Sequence, residues 1–459
     1  MNRNLLFVLI PILLSVATAA AQTKYLTFDD ALALAFGQNP VVRASEYAEK
    51  AAHRQRQAAI GLFMPQVSIK GAYTHLNKDI KLDFNPMLSS FSPMLGEGLA
   101  MLGLDLSYTL QQKNIAFLGG DVVLPLFAGG KIWTANKAAK IGEERTRMQS
   151  SQVRNALVVE VVERYFGVEL ARCGVSICEE AVALLEQHLR DIVALENVGM
   201  AVASERLYVE CRLSEAERDL QRSKLQLETA QYALQILIGE ERHLSPSTPM
   251  FVLSTIEPLE YFQAMAKLHN PQLGEVAKVR ELARMNLRLQ RSNLFPEIVA
   301  MGGMVFCDHQ LTPLVPRMAV GVGMNFKIFD GLSREYKSAA ARMELRRVEN
   351  LESKAEHDVS LLIESLYNKV QSVLATLPAV ERSVQFAEEL LNVKHKAFRE
   401  GMATATDVAD AAVNFSRIKF EKVQCAYDLD VALARLLEAS GMSDLFVQYM
   451  HGKLAQSLF

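Results

Sequence analysis

The spacing of a few landmark residues constrains this chain more than any other feature. Asn39-Pro40 is followed 25 residues later by Pro65, and Asn270-Pro271 is followed 25 residues later by Pro296. Farther on, Phe127 precedes Tyr165 by 38 residues and Tyr165 precedes Gly199 by 34; Phe329, Tyr367 and Gly401 repeat both intervals. A chain that repeats its intervals in this way is a duplication, each copy laid out in the same order. The early landmarks are offset by 231 and the late ones by 202, so copy one carries 29 extra residues. They fall between Pro65 and Phe127, in a stretch near 78–112 whose NPMLSSFSPMLGEG run reads as a long loop.

Within each copy the hydrophobic period tells helix from strand. Thr27 with Asp30 three residues on reads as a helix start, and Asn39-Pro40 ends that helix and opens a second, over about 41–63, which Pro65 stops. The period then changes from 3.6 to 2: Val67, Ile69 and Tyr73 alternate with Ser68, Lys70 and Thr74, and Val320, Val322, Met324, Phe326 and Ile328 alternate with small or polar residues. A soluble sheet with one buried face gives the same pattern, so alternation alone does not establish a membrane barrel.

Next in each copy comes a helical run of nearly 70 residues, over about 131–197 and 332–399, about 100 Å long at 1.5 Å per residue. In the second of these, the apolar positions from Val348 to Leu391 take twelve steps in 43 residues, between the 3.5 period of a coiled coil and the 3.6 of a straight helix. Pro378 lies inside it and is expected to kink the helix or break a local hydrogen bond. A third helix, over about 204–237 and 404–437, closes each copy. The plan is therefore a first copy over 22–239, a Pro-rich linker over 240–257, a second copy over 258–441 and a tail over 442–459.

Residues 1–21 carry Arg3, an apolar run from Leu5 to Leu14 and an A-x-A end, the layout of a secretory signal peptide. No later segment offers about 18 uninterrupted apolar residues, so helical membrane spans are not expected. A net charge of −3 gives no sign of a nucleic-acid partner. The nine His residues are scattered without metal-ligand spacing, and neither HExxH nor a phosphate-binding loop is present, so the reading is not an enzyme and requires no metal or cofactor. Cys173 and Cys178 are too far apart on a helix for an unstrained disulfide; with Cys211, Cys307 and Cys425 they read as incidental small residues.

Asp407 and Asp410 share one helix face just after the Gly401 turn, a paired-carboxylate arrangement that also suits a catalytic site. Their counterparts in copy one are Glu205 and Tyr208, so the pair belongs to one copy only. Two strands per copy give four per chain, too few to close a barrel, and open edges are not tolerated in lipid. If the strands enter a membrane, the chain must oligomerise, and a trimer supplies 12 strands.

The order of elements, carried out twice after a signal peptide, resembles the TolC-like outer-membrane efflux family over essentially the whole mature chain. The two turns carry the best matches: Asn197-Val198-Gly199-Met200, and Gly401-Met402 followed by Thr406-Asp407-Val408-Ala409-Asp410-Ala411. The resemblance implies a mainly α fold with a small β part. Its long antiparallel helices make a periplasmic tunnel, and its four strands per chain contribute to a 12-strand transmembrane barrel in a homotrimer in outer-membrane lipid. It also implies an exit duct of a tripartite efflux or type I secretion system, served by a periplasmic adaptor and, indirectly, an inner-membrane pump. Asp407 and Asp410 take the place of the family's pore constriction, and Val198, Gly199, Met200, Gly401 and Met402 that of its adaptor contact. The Arg that latches the entrance in some members is replaced by Ala403, with Arg399 and Arg206 as candidate substitutes. The competing reading is a periplasmic coiled-coil adaptor or scaffold whose strands form a soluble sheet; it does not explain why the hairpin lies midway between helices in both copies.

Overall fold

A computed structural model describes residues 24–103, 106–240, 244–452 and 455–457; the expected signal peptide, 1–21, lies outside the described residues. Copy one runs β1 (Lys24–Leu26), α1 (Phe28–Gln38), α2 (Pro40–Gly61), β2 (Gln66–His75), β3 (Ile80–Asp83), α3 (Asn85–Phe91), α4 (Pro93–Met101), β4 (Ser107–Gln111), β5 (Asn114–Ala128), α5 (Lys131–Asn197) and α6 (Ala203–Ile238). After β6 (Leu244–Pro246) and β7 (Phe251–Leu253), copy two runs α7 (Leu259–His269), α8 (Pro271–Ser292), β8 (Glu297–His309), β9 (Met318–Asn325), α9 (Ser333–Arg399) and α10 (Ala405–Ala439). The chain closes with α11 (Phe446–His451) and β10 (Ala455–Ser457). The architecture is mainly α with a small β part. α5 and α9 each have 67 residues, and α9 continues through Pro378 without interruption. The missing proline N–H leaves the carbonyl of Leu374 without its helical donor, and the helix runs on past it.

Two compact units emerge, one from residues 1–47, 148–274 and 354–459, the other from 48–147 and 275–353. In the first, Tyr165 is fully buried, donates from its hydroxyl to the Leu26 carbonyl at 2.6 Å and accepts from the Ser247 and Thr248 N–H groups. Phe28 stacks on Phe166 and meets Tyr165 edge-on, with Phe446 against both phenylalanines. The tyrosine landmark is thus a core anchor that fastens the stretch after β6. That stretch, expected as a linker, is held by backbone pairing: β6 pairs parallel with β1, and β7 pairs antiparallel with β10 of the tail. The pseudo-equivalent helices α6 and α10 differ sharply, burying four and seventeen residues respectively. Asp430 of α10 is wholly buried and neither carboxyl oxygen has a partner of good geometry, so desolvation holds its pKa well above the usual carboxylate range.

The second unit is built on a four-stranded antiparallel sheet in the order β2-β5-β8-β9. Opposed residues share a face, so the register sorts every side chain. One face carries Val67, Ile69 and Tyr73 of β2, Leu118 and Val122 of β5, Met304 of β8, and Met318, Val320, Val322 and Met324 of β9. On β2 and β9 these apolar side chains are 68–78% exposed. The other face carries Phe117, Val123, Val299, Met301 and Val305 together with Gly119, Gly303 and the cluster in which Lys70 and Ser68 both reach the Asp121 carboxylate, at 2.8 and 2.7 Å. At the junctions of strand and helix, Gly129 has φ +58°, and a side chain there would strike the Ser292 carbonyl and Phe295. Phe63, Phe127, Phe295 and Phe329 stand exposed at these same junctions.

The 29-residue insertion departs from expectation. Instead of an irregular loop it forms the two-stranded ribbon β3–β4 carrying α3 and α4. The prolines that suggested a loop act as helix starters: Pro86 sits in the first turn of α3 and Pro93 is the first residue of α4. There the missing N–H has no helical partner to lose.

Candidate functional site

The two tips where α5 meets α6 and α9 meets α10 are built alike. Gly199 (φ +77°) and Gly401 (φ +73°) end the two long helices in the left-handed conformation. Around Gly199, Met200 N–H donates to the Leu195 carbonyl and Gly199 N–H to that of Glu196; around Gly401, Met402 N–H donates to Ala397 and Gly401 N–H to Phe398. Both are Schellman turns, which satisfy helix-end carbonyls and require a residue tolerant of positive φ. They leave Val198, Met200 and Met402 exposed. The structure therefore presents the residues expected to contact an adaptor, Val198, Gly199, Met200, Gly401 and Met402, on two matching knuckles.

Past the glycine the tips diverge. In copy two Thr404 caps α10 and forms a reciprocal capping box with Asp407. The Asp407 carboxylate accepts from Thr404 N–H at 3.1 Å, from the Thr404 hydroxyl at 2.7 Å and from Lys394 Nζ at 3.0 Å. The Thr404 hydroxyl first, then Lys394, hold its pKa down at about 2. Copy one has Val202 at the corresponding place, with no side-chain cap.

Asp410, three residues on, turns to a different element. Its Oδ1 accepts from the Tyr208 hydroxyl at 2.7 Å and from Arg212 Nη2 at 3.2 Å, both on α6. Arg212 lies over the Tyr208 ring and also bonds Glu215. Bonds to Glu215 and Tyr208 push its pKa above the usual Arg value. The two expected constriction residues thus share a helix face but not partners: Asp407 is bound to the α9 side, Asp410 to α6.

An apolar cluster underlies both tips, made by Leu185 and Ile192 of α5, Val209 of α6, Phe398 of α9, and Ala405, Val408, Ala409 and Ala412 of α10. Buried with it is His188, whose Nε2 lies 2.9 Å from the carbonyl of Ala405, the first residue of α10. The ring meets Phe398 edge-on at 4.9 Å, and Nδ1 is buried without a partner. Burial lowers its pKa below the ordinary imidazole value, so the ring is the neutral Nε2–H tautomer donating to the carbonyl.

Of the two candidate latches, Arg206 bonds Glu196 and Glu210 inside copy one. Arg399 makes no ion pair among the described residues. Sequence reasoning missed Tyr208, Arg212, Lys394 and His188 as parts of the site. The offset of 202 did align Tyr208 with Asp410, and that alignment was the available signal.

A chain with these paired long helices, matched tips and an open apolar-faced sheet has the fold of outer-membrane channels. The likeness to CusC, described for its folding and transmembrane channel formation, has a TM-score of 0.75 at 15% identity and covers 91% of this chain and 93% of that one. The outer membrane protein VceC of Vibrio cholerae gives 0.71 at 13%, covering 90% and 96%. The CmeC outer membrane channel of Campylobacter jejuni gives 0.72 at 13%, covering 93% and 89%. In sequence, residues 264–442, nearly all of copy two, match the family described as outer membrane efflux protein, and copy two is a domain of that family. No curated protein matches the chain by sequence.

Proposed function

We propose that three copies of this chain close their four-stranded sheets into a twelve-stranded barrel in the outer membrane. Their long helices then line a periplasmic tunnel, and the whole serves as the exit duct of a tripartite efflux or type I secretion system. One observation carries this reading: the sheet has two unpaired edges, β2 and β9, whose outermost strands expose apolar side chains on one face, while the opposite face mixes glycines and the Lys70–Asp121 pair with Phe117, Val123 and Met301. In water such a sheet wastes apolar surface and invites aggregation. Closed in lipid, the apolar face meets acyl chains, the polar face lines a lumen and every edge is paired. Phe63, Phe127, Phe295 and Phe329 at the strand–helix junctions suit an interfacial aromatic girdle. No helix among the described residues is long and apolar enough to cross a membrane.

At the other functional end, Asp407 and Asp410 of each of the three chains ring the periplasmic entrance, where the Tyr208–Arg212 pair restrains Asp410 and Lys394 restrains Asp407. The knuckles at Gly199 and Gly401 receive a periplasmic adaptor, glycine allowing its backbone to approach closely. Fractionation tests the barrel: the protein is expected in the outer-membrane pellet after carbonate washing, as trimers that dissociate only on heating. Release of monomer by carbonate would return the chain to the scaffold reading.

A further inference from the structure

The ribbon that rises from the barrel in copy one has no counterpart in copy two, and nothing in the periplasmic role uses it. The pairing of β5 with β8 stops at Ala116 and His309, while β2 and β5 continue to His75 and Asn114 and are extended by β3 and β4. This end of the strands is the one away from their junctions with α2, α5, α8 and α9. Four more strand residues carry α3 and α4 about 13 Å past the sheet.

What the ribbon carries is strongly apolar. Between Phe84 and Leu104 the only charged residue is Glu97. Phe91, Met94, Met101 and Leu102 are 88%, 87%, 94% and 75% exposed. A soluble surface does not leave this much apolar area uncovered without an occupant. Lipid is a poor candidate, because the apolar band of β2 ends at Tyr73 and a polar collar follows before α3. That collar includes His75, Asn77, Lys78, Asp79, Lys81 and Asp83, with Leu76, Ile80 and Leu82 set singly among them. With the sheet spanning the bilayer as proposed, this collar falls at the outer surface and the hairpin beyond it. The base is also fixed: Gln111 donates to the Gln310 carbonyl and accepts from Thr312 N–H, which ties the ribbon to the turn between β8 and β9.

We propose that the α3–α4 hairpins of three copies of this chain pack on one another over the outer mouth of the barrel and close it at rest. The proposal rests on the trimeric channel reading. Symmetry brings three identical apolar hairpins to the rim, and with one carboxylate in each they meet without a large like-charge penalty. The nine residues of α4 add about 14 Å of reach. A twelve-stranded barrel is only moderately wider than the eight-stranded kind that side chains alone can fill, so that reach suffices to meet at the axis. The cap would make the duct close at both ends by different means, carboxylate partners at the periplasmic entrance and apolar contact at the exit.

The test uses the full chain with the exposed Cys211 and Cys307 changed to Ser, reconstituted in lipid bilayers. Met94→Cys is expected to form cross-linked dimers with a short bis-maleimide, whereas Tyr232→Cys on the outer part of α6 is not. Phe91→Glu with Met94→Glu is expected to raise resting single-channel conductance several-fold, with trimer content unchanged. Trimers that give no Met94→Cys cross-link and unchanged conductance in the double variant would overturn the cap. So would quenching of a fluorophore on the Met94→Cys thiol by nitroxide-labelled lipid, which would place the hairpin in the bilayer. A parent chain that forms neither trimers nor channels would instead overturn the channel reading on which the cap depends.

Discussion

The two tips have one backbone geometry and two chemistries. Gly199 and Gly401 end their helices in the same Schellman turn. Then Val202 stands where Thr404 caps, Tyr208 where Asp410 sits, Ile192 where Lys394 reaches over, and Leu390 where His188 is buried. Duplication conserved the shape a partner would meet and let the inward chemistry of the two copies become complementary. The Tyr208–Asp410 bond shows this directly, because it joins the two positions that the repeat makes equivalent. In that bond copy one supplies the donor and copy two the acceptor, whereas Asp407 takes its donors, Lys394 and Thr404, from its own copy.

The comparison can be broken most severely at the glycines. Gly199→Leu and Gly401→Leu each force a bulky residue to positive φ, and each is expected to abolish transport in a drug-resistance or secretion assay while trimers still assemble. Loss at only one tip would show that the shared shape is not shared use. A large effect also follows from removing the partners of Asp410: Tyr208→Phe with Arg212→Ala should increase channel conductance, while Asn414→Ala, at the position equivalent to Arg212, should not.

A smaller effect comes from acid. Because burial lowers the His188 pKa, the folded tip takes up its proton less readily than a free imidazole of pKa 6.5. The folded tip is therefore fully favoured above that value and loses stability as pH falls below it, because the buried ring has to take up a proton. Asp191 and Glu205 favour the proton, while His395 and burial oppose it. Protection of the amides at the start of α10, taken relative to the intrinsic exchange rate at each pH, should fall below about pH 6.5, and His188→Leu, copying Leu390, should remove that dependence. The smallest effect is capping. Thr404→Ala should destabilise the start of α10 by about 1 kcal/mol, and Val202→Thr should recover part of that amount at α6, both read by local amide exchange. Asp407, held down at about 2, keeps its cap and its Lys394 pair at any pH above roughly 4 and loses them only as pH falls toward 2.

Much of this was legible in sequence because it is periodic. The repeat intervals placed both long helices to within one residue, and the change of period at Pro65 and Pro296 located the sheet. Proline misled in 84–104, since the same residue breaks a helix from within and starts one at its first turn, and spacing does not say which. The short strands β6 and β7 were invisible for another reason. Three residues give no period, and their pairing partners β1 and β10 lie more than 190 residues away in sequence. The partners of Asp407 and Asp410 come from α9 and α6, and a single helix's spacing cannot name a neighbour on another helix.

The unpaired edges of β2 and β9 have a consequence for inheritance. If β2 of one chain can be satisfied only by β9 of the next, insertion and assembly are the same event, and no single chain reaches the membrane alone. A substitution that spoils either edge should then be dominant over the normal allele, since one defective copy withholds two sound ones from the bilayer.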